Sequence, residues 1–240
     1  MTFNNTYDEF KKIIADAMNS RKVADYKDAP LRSEFLILRH DVEFSLEKAY
    51  TMAKIESSLG AQASFFVQLE NNSYNPLSDE NQWFLHEISS MGHHIGLHYR
   101  QKGIHCENEA KAIKVQAVIL GNMIGRRIDR FSCHKPYGNY NQIEVDGMIN
   151  AYGASFFDRT DHPETAKIKY ISDSNLQWNY GYPDRETFKK HKRIQLLIHP
   201  YGWGEEKRSP KEIIKELHDR RTAEDEIVFV SDCPAYIEDR

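Results

Sequence analysis

Phe35-Leu36-Ile37-Leu38 is an unbroken apolar run that passes directly into Arg39-His40-Asp41-Val42-Glu43. Four apolar residues in succession read as a buried strand, and here that strand delivers polar side chains at its carboxyl end. The same pattern recurs on both sides of it. Upstream, Thr6 with Glu9 three residues later resembles a capping box and opens a helix whose Phe10, Ile13, Ile14 and Met18 recur at helical spacing. Downstream, Ser45 is an N-cap for a helix over 45–59 with Gly60 as its stop. Strand-like segments follow at 63–69, 94–98, 130–133, 155–157, 170–171, 193–198 and 227–230. Helix-like segments fall at 78–91, 107–124, 141–151 and 210–221. Strands alternating with helices of this length predict parallel pairing and an α/β architecture. Seven or eight such units predict a closed barrel more than an open sheet, built as one domain over 1–240 with 1–30 as an N-terminal helical extension. In such barrels chemistry gathers at the carboxyl ends of the strands.

Composition narrows the function classes. The chain has 240 residues, 40% hydrophobic and 28% charged, enough to bury a sizeable core without metal or disulfide staples. Lys and Arg number 32 against 36 Asp and Glu, and the signs are interspersed, so the basic stripe expected of a nucleic-acid partner is missing. Three cysteines far apart, Cys106, Cys133 and Cys233, fit reduced thiols better than a disulfide framework. No apolar run reaches the roughly 18 residues of a membrane span. The first twenty residues are charged and lack the apolar core of a signal peptide, so the expected location is cytoplasmic.

The strand ends are where the titratable residues stand. Asp41 and Glu43, two apart, point to one side if the chain stays extended. His98 closes the segment after Gly92, His134 follows Phe131-Ser132-Cys133, and His199 follows Gln195-Leu196-Leu197-Ile198. Four strand ends thus offer the nitrogen and carboxylate ligands that a zinc-like divalent ion prefers. Each residue also has a plainer reading: a lone histidine beside an apolar run is more often a hydrogen-bonded structural one. His86, His93, His105, His162, His191 and His218 are left under that reading. For Asp41 and Glu43 the plainer reading is that they only cap the next helix, and the cysteines lack the paired spacing of a metal site.

Taken in order, five motifs resemble those of the polysaccharide deacetylase superfamily (NodB homology, carbohydrate esterase 4-like). They are ILRHDVEF at 37–44, GHHIGLHY at 92–99, FSCHKPYGNY at 131–140, ISDSNLQW at 171–178 and LLIHP at 196–200. The opening motif and the LLIHP ending look most like the RHDVD-type branch found with surface-polysaccharide biosynthesis. The resemblance spans Leu36 to Trp203 and implies a distorted (β/α)7-type barrel holding one divalent ion, zinc by preference. It implies Asp41 as general base, Glu43 and His98 as metal ligands, a Tyr137 backbone N–H in an oxyanion hole and His199 as general acid. Asp173 and Trp178 fall in a motif expected to line or support the substrate pocket.

Several positions depart from the pattern. Lys102 stands where a second metal histidine is usual, Glu43 where Asp is usual, His134 in place of an arginine, and His94 in place of a glutamate. One ligand is therefore missing. His134 is the first candidate to replace it, Asp41 could coordinate directly, and His105 is a third choice. The implied function is metal-dependent removal of an N-acyl group, acetyl or similar, from an amino sugar or glycan precursor. The alternative is a metal-free barrel of the same kind that binds a carbohydrate or a protein. Tyr74, Tyr99, Tyr137, Trp178, Tyr201 and Trp203 are candidates to stack on a sugar ring.

Overall fold

Hydrophobic alternation sorts β1 (Phe35–Val42) into two faces, and the rest of the molecule is built around them. Leu36 and Leu38 pack outward among helix residues, while Phe35 and Ile37 pack inward with Tyr26, Phe66 and Phe156. The computed structural model describes residues 4–101, 108–158, 167–233 and 235. Six further strands join β1: β2 (Ser64–Val67), β3 (His94–Arg100), β4 (Arg130–His134), β5 (Ile149–Asn150), β6 (Lys169–Ser172) and β7 (Arg193–Ile198). Every paired neighbour is parallel, in the order β5-β4-β3-β2-β1-β7-β6. This one α/β domain curls its sheet into a half-barrel, a distorted (β/α)7 arrangement with β5 and β6 at its two ends.

The helices start where the sequence supplies side-chain oxygens for unpaired backbone donors. Thr6 accepts from the Glu9 N–H at the start of α1 (Tyr7–Ser20), and Ser45 accepts from the Lys48 N–H at the start of α2 (Leu46–Ser58). Gly60 then turns the chain at φ +76°. α3 (Asp79–Ser90) and α4 (Glu109–Ile124) complete the layer outside β2 to β4, and Asn108 caps α4. The short α5 (Arg185–Lys190), capped by Asp184, lies against α1 and was not anticipated from the sequence. Among the described residues no helix is long and apolar enough to cross a membrane.

Three expected elements differ. Over 141–151 there is no α-helix: a 3-10 turn at Tyr140–Gln142 is followed by Gly147 at φ +69° and the two-residue β5. The Asn150 amide caps the carbonyls of Tyr140 and Ile143, which ends helical propagation at one turn. Residues 155–157 are not a strand, because the Phe156 and Phe157 N–H groups both donate back to the Gly153 carbonyl. The apolar run at 227–230 is not a strand either: it belongs to α6 (Pro210–Asp232), which carries on past the expected end at 221. A Ser209–Glu212 capping box starts that helix, and near its end Ile227 is 69% exposed. In α4 the core face is Ile113, Ala117, Leu120 and Ile124, while Val115, Val118 and Ile119 look outward.

Candidate metal centre

On β1 the inward phase set by Phe35 and Ile37 continues through Arg39 and Asp41 to Glu43 just past the strand end. On β3 the same phase carries Gly96 and His98, and on β4 it carries Ser132 and His134. The parallel register places His98 directly across from Ser132. Gly96 is required by this layer: a Cβ there would stand 2.6 Å from the Phe66 ring and 2.8 Å from Arg130 Cγ.

At the carboxyl end of the sheet three donors from three strands converge. Glu43, His98 and His134 each offer a ligand atom, all within 4.8 Å of one another. His134 Nδ1 lies 3.0 Å from Glu43 Oε1 and 3.2 Å from His98 Nε2, and His98 Nε2 lies 3.8 Å from Glu43 Oε1. Tetrahedral zinc with ligand bonds near 2.1 Å requires donor–donor edges of roughly 3.3 Å, so two nitrogens and an oxygen at these spacings fit such an ion. The donor set is chemically suited as well. Burial pushes the Glu43 carboxyl upward, but the hydrogen bond from His134, the neighbouring His98 and the charge of nearby His199 overcome it and hold the group far below its ordinary range.

Behind His98 lies a second polar layer. Arg39, fully buried, grips Asp41 with two bonds, Nε to Oδ1 at 2.9 Å and Nη2 to Oδ2 at 2.7 Å. Its guanidinium lies 4.2 Å from the centre of the Tyr152 ring and contacts Gln195, itself held by the Tyr26 hydroxyl. Burial alone would raise the Asp41 pKa; Arg39 first, then His98, reverse this, so Asp41 is ionised. Ser132 stands between the layers, its Oγ 2.7 Å from His98 Nδ1 and 3.3 Å from Asp41 Oδ1.

The loops after β6 and β7 build the opposite side. Asp173 is 0% exposed, and its oxygens accept from the His199 backbone N–H, from His199 Nδ1 at 2.7 Å and from Trp203 Nε1 at 2.8 Å. Burial works against charge on His199, but the Asp173 bond and charge, with help from Glu43 and Asp41, raise its pKa to about 9. A carboxylate enclosed in this way holds both His199 and Trp203 in place. Trp178 packs edge-on against Trp203 and Tyr182 beside it.

Tyr137 sits in the loop after β4, 49% exposed, and its backbone N–H donates to Gln101 Oε1. Of the aromatics expected to meet a sugar, Tyr74, Tyr99, Tyr201 and Trp203 are buried; Trp203 fills the core against Phe10, and the Tyr74 hydroxyl ties Val42 to Gln68. His93 bonds backbone atoms of Ala53 and Ala63, as its plainer reading held, and His94 pairs with Asp25 at the far end of the barrel. Lys102, His105, Cys106 and His162 lie outside the described residues. The sequence reading passed over Arg39 and Ser132. Each stands two residues before a named site residue, Asp41 and His134 respectively, so strand alternation was the signal that could have found both.

No family model matches the chain, and no curated protein matches it. Solved structures do resemble it. A mutant CE4 family pseudoenzyme with restored enzymatic activity shares 13% identity over 80% of this chain and 63% of its own, at a TM-score of 0.40. The polysaccharide deacetylase Bc1974 from Bacillus cereus shares 16% over 75% and 82%, at 0.43. A family 4 carbohydrate esterase from Bacillus anthracis shares 12% over 90% and 86%, at 0.45. The chain thus spans less than two thirds of the first of these proteins.

Proposed function

We propose that this protein is a metal-dependent hydrolase that removes an N-acyl group, acetyl or similar, from an amino sugar or glycan precursor, in the manner of the RHDVD-type polysaccharide deacetylases. The observation that carries the reading is the triangle of Glu43, His98 and His134, spaced for one tetrahedral ion and faced by a histidine held for protonation. His134 takes the ligand place for which Lys102 is chemically unsuited, since an ammonium has no lone pair to donate.

The division of labour follows from the surroundings of each group. A bound zinc-like ion would polarise the amide carbonyl and lower the pKa of water. Asp41, ionised beside Arg39, accepts the proton that the attacking water gives up. His199 carries the other proton. Its Nδ1 is committed to Asp173, so Nε2 is the atom that can protonate the departing amine. Asp173 holds His199 through its ring Nδ1 and its backbone N–H and acts on the reaction only through it. The Tyr137 N–H, once released from Gln101, donates to the oxyanion, and Trp178 supports the pocket wall.

Metal content tests this reading. After zinc loading and desalting, elemental analysis is expected to find close to one ion per chain. His98→Ala is expected to lose the ion and deacetylation of N-acetylated sugar substrates together. His199→Ala is expected to keep the ion and lower turnover by about 10² to 10⁴. A wild-type chain that takes up no zinc would overturn the hydrolase reading in favour of a carbohydrate- or protein-binding barrel.

A further inference from the structure

We infer that Ser132 is a positioning residue for the proposed metal centre: by accepting from His98 Nδ1 and donating to Asp41, it holds His98 with its Nε2 lone pair aimed between Glu43 and His134. The inference rests on the metal-site reading above and concerns the tautomer of one ligand. A neutral imidazole carries its single N–H on either nitrogen, and only the bare nitrogen can bind an ion. A partner on the other nitrogen decides which one is bare.

The hydrogen-bond bookkeeping around Ser132 leaves one assignment. Its hydroxyl is fully buried, so no solvent competes, and it has one proton to give. Two groups lie within reach, His98 Nδ1 at 2.7 Å and Asp41 Oδ1 at 3.3 Å. Asp41 can only accept, because its carboxylate is paired with Arg39 through both oxygens. The Ser132 proton therefore goes to Asp41, and the Ser132 oxygen is left to accept from His98 Nδ1–H. Asp41 Oδ2 lies 3.7 Å from Nδ1, too far to take that role directly. The result is a line of contacts running Arg39, Asp41, Ser132, His98. It starts on β1, crosses to β4 and ends on β3, and the register that sets His98 opposite Ser132 is what closes it.

Two readouts test this without recourse to turnover. In the metal-free wild-type protein, imidazole nitrogen NMR is expected to show His98 with its proton on Nδ1. Zinc affinity, measured by competition with a chromophoric chelator, is expected to fall about 10- to 100-fold in Ser132→Ala. In that variant the His98 tautomer is expected to become mixed, and Ser132→Thr, which keeps the hydroxyl, is expected to restore both signals. A wild-type spectrum with the proton on Nε2, or Ser132→Ala binding zinc as tightly as wild type with an unchanged tautomer, would overturn the inference. The wild-type spectrum decides the matter even if neither variant folds. Failure of the wild type to bind zinc would count against the hydrolase reading, while the tautomer would still report on Ser132.

Discussion

At the scale of single residues, the pairing of His199 with Asp173 sets a pH dependence. A histidine raised to about 9 by a buried carboxylate stays protonated through neutral pH, so an acid role for it predicts an alkaline limb near pH 9 in the activity profile. Asp173→Asn removes the largest favourable influence on that proton, and the limb should move down towards the ordinary histidine range near 6.5. Stability follows the same sign. Because the folded-state pKa lies above the unfolded one, the pair stabilises the fold fully below about pH 6.5, and that contribution disappears as pH rises through about 9. Urea unfolding of wild type and Asp173→Asn at pH 6 and pH 10 should show a larger gap at the lower pH. An equal gap at both would mean that Asp173 supports Trp203 and the backbone but not the charge on His199. Asp41 and Glu43 illustrate the complementary case, carboxylates held ionised by arginine or histidine neighbours despite burial.

At the scale of elements, alternation along the strands does most of the positioning. Arg39, Asp41 and Glu43 share one face because a strand repeats every two residues, and that face was readable from residue numbers alone. His40, on the opposite face, points away from the site, bonding Glu56 on α2 and stacking on Phe65. Gly96 marks where β3 must pass close to the Phe66 ring. Gly96→Ala is expected to destabilise by about 1–3 kcal/mol through overpacking, measured by urea denaturation. A neutral result would mean that Phe66 can shift without disturbing the layer beneath the site. The elements that the sequence misassigned have a common cause. Residues 141–151 have helix-compatible composition, and 227–230 have strand-compatible composition. The outcome was set by a side-chain cap at Asn150 in one case and, in the other, by continuation of the helix that the Ser209–Glu212 capping box starts. Local propensity is weak enough for such tertiary facts to override it.

At the scale of the whole molecule, the centre ties together strands that are far apart in sequence, so filling it should stiffen the entire half-barrel. Zinc at about 100 times its Kd is expected to stabilise the fold by about 2.7 kcal/mol. For a chain of this size that corresponds to a rise in Tm of roughly 5–10 °C, reversed by a chelator and absent in His98→Ala. A Tm indifferent to both would indicate that no ion links the three strands. The sequence by itself determined the alternating strand and helix order, the buried run at 35–38 and the polar residues waiting at strand ends, because periodicity and capping are local properties of the chain. Only the tertiary structure decided that His134 stands within 3.0 Å of Glu43, that Asp173 is enclosed behind His199, and that Ser132 faces His98. Those facts depend on the register between strands and on the curl of the sheet, which are set by contacts between residues dozens of positions apart and leave no trace in spacing along one strand.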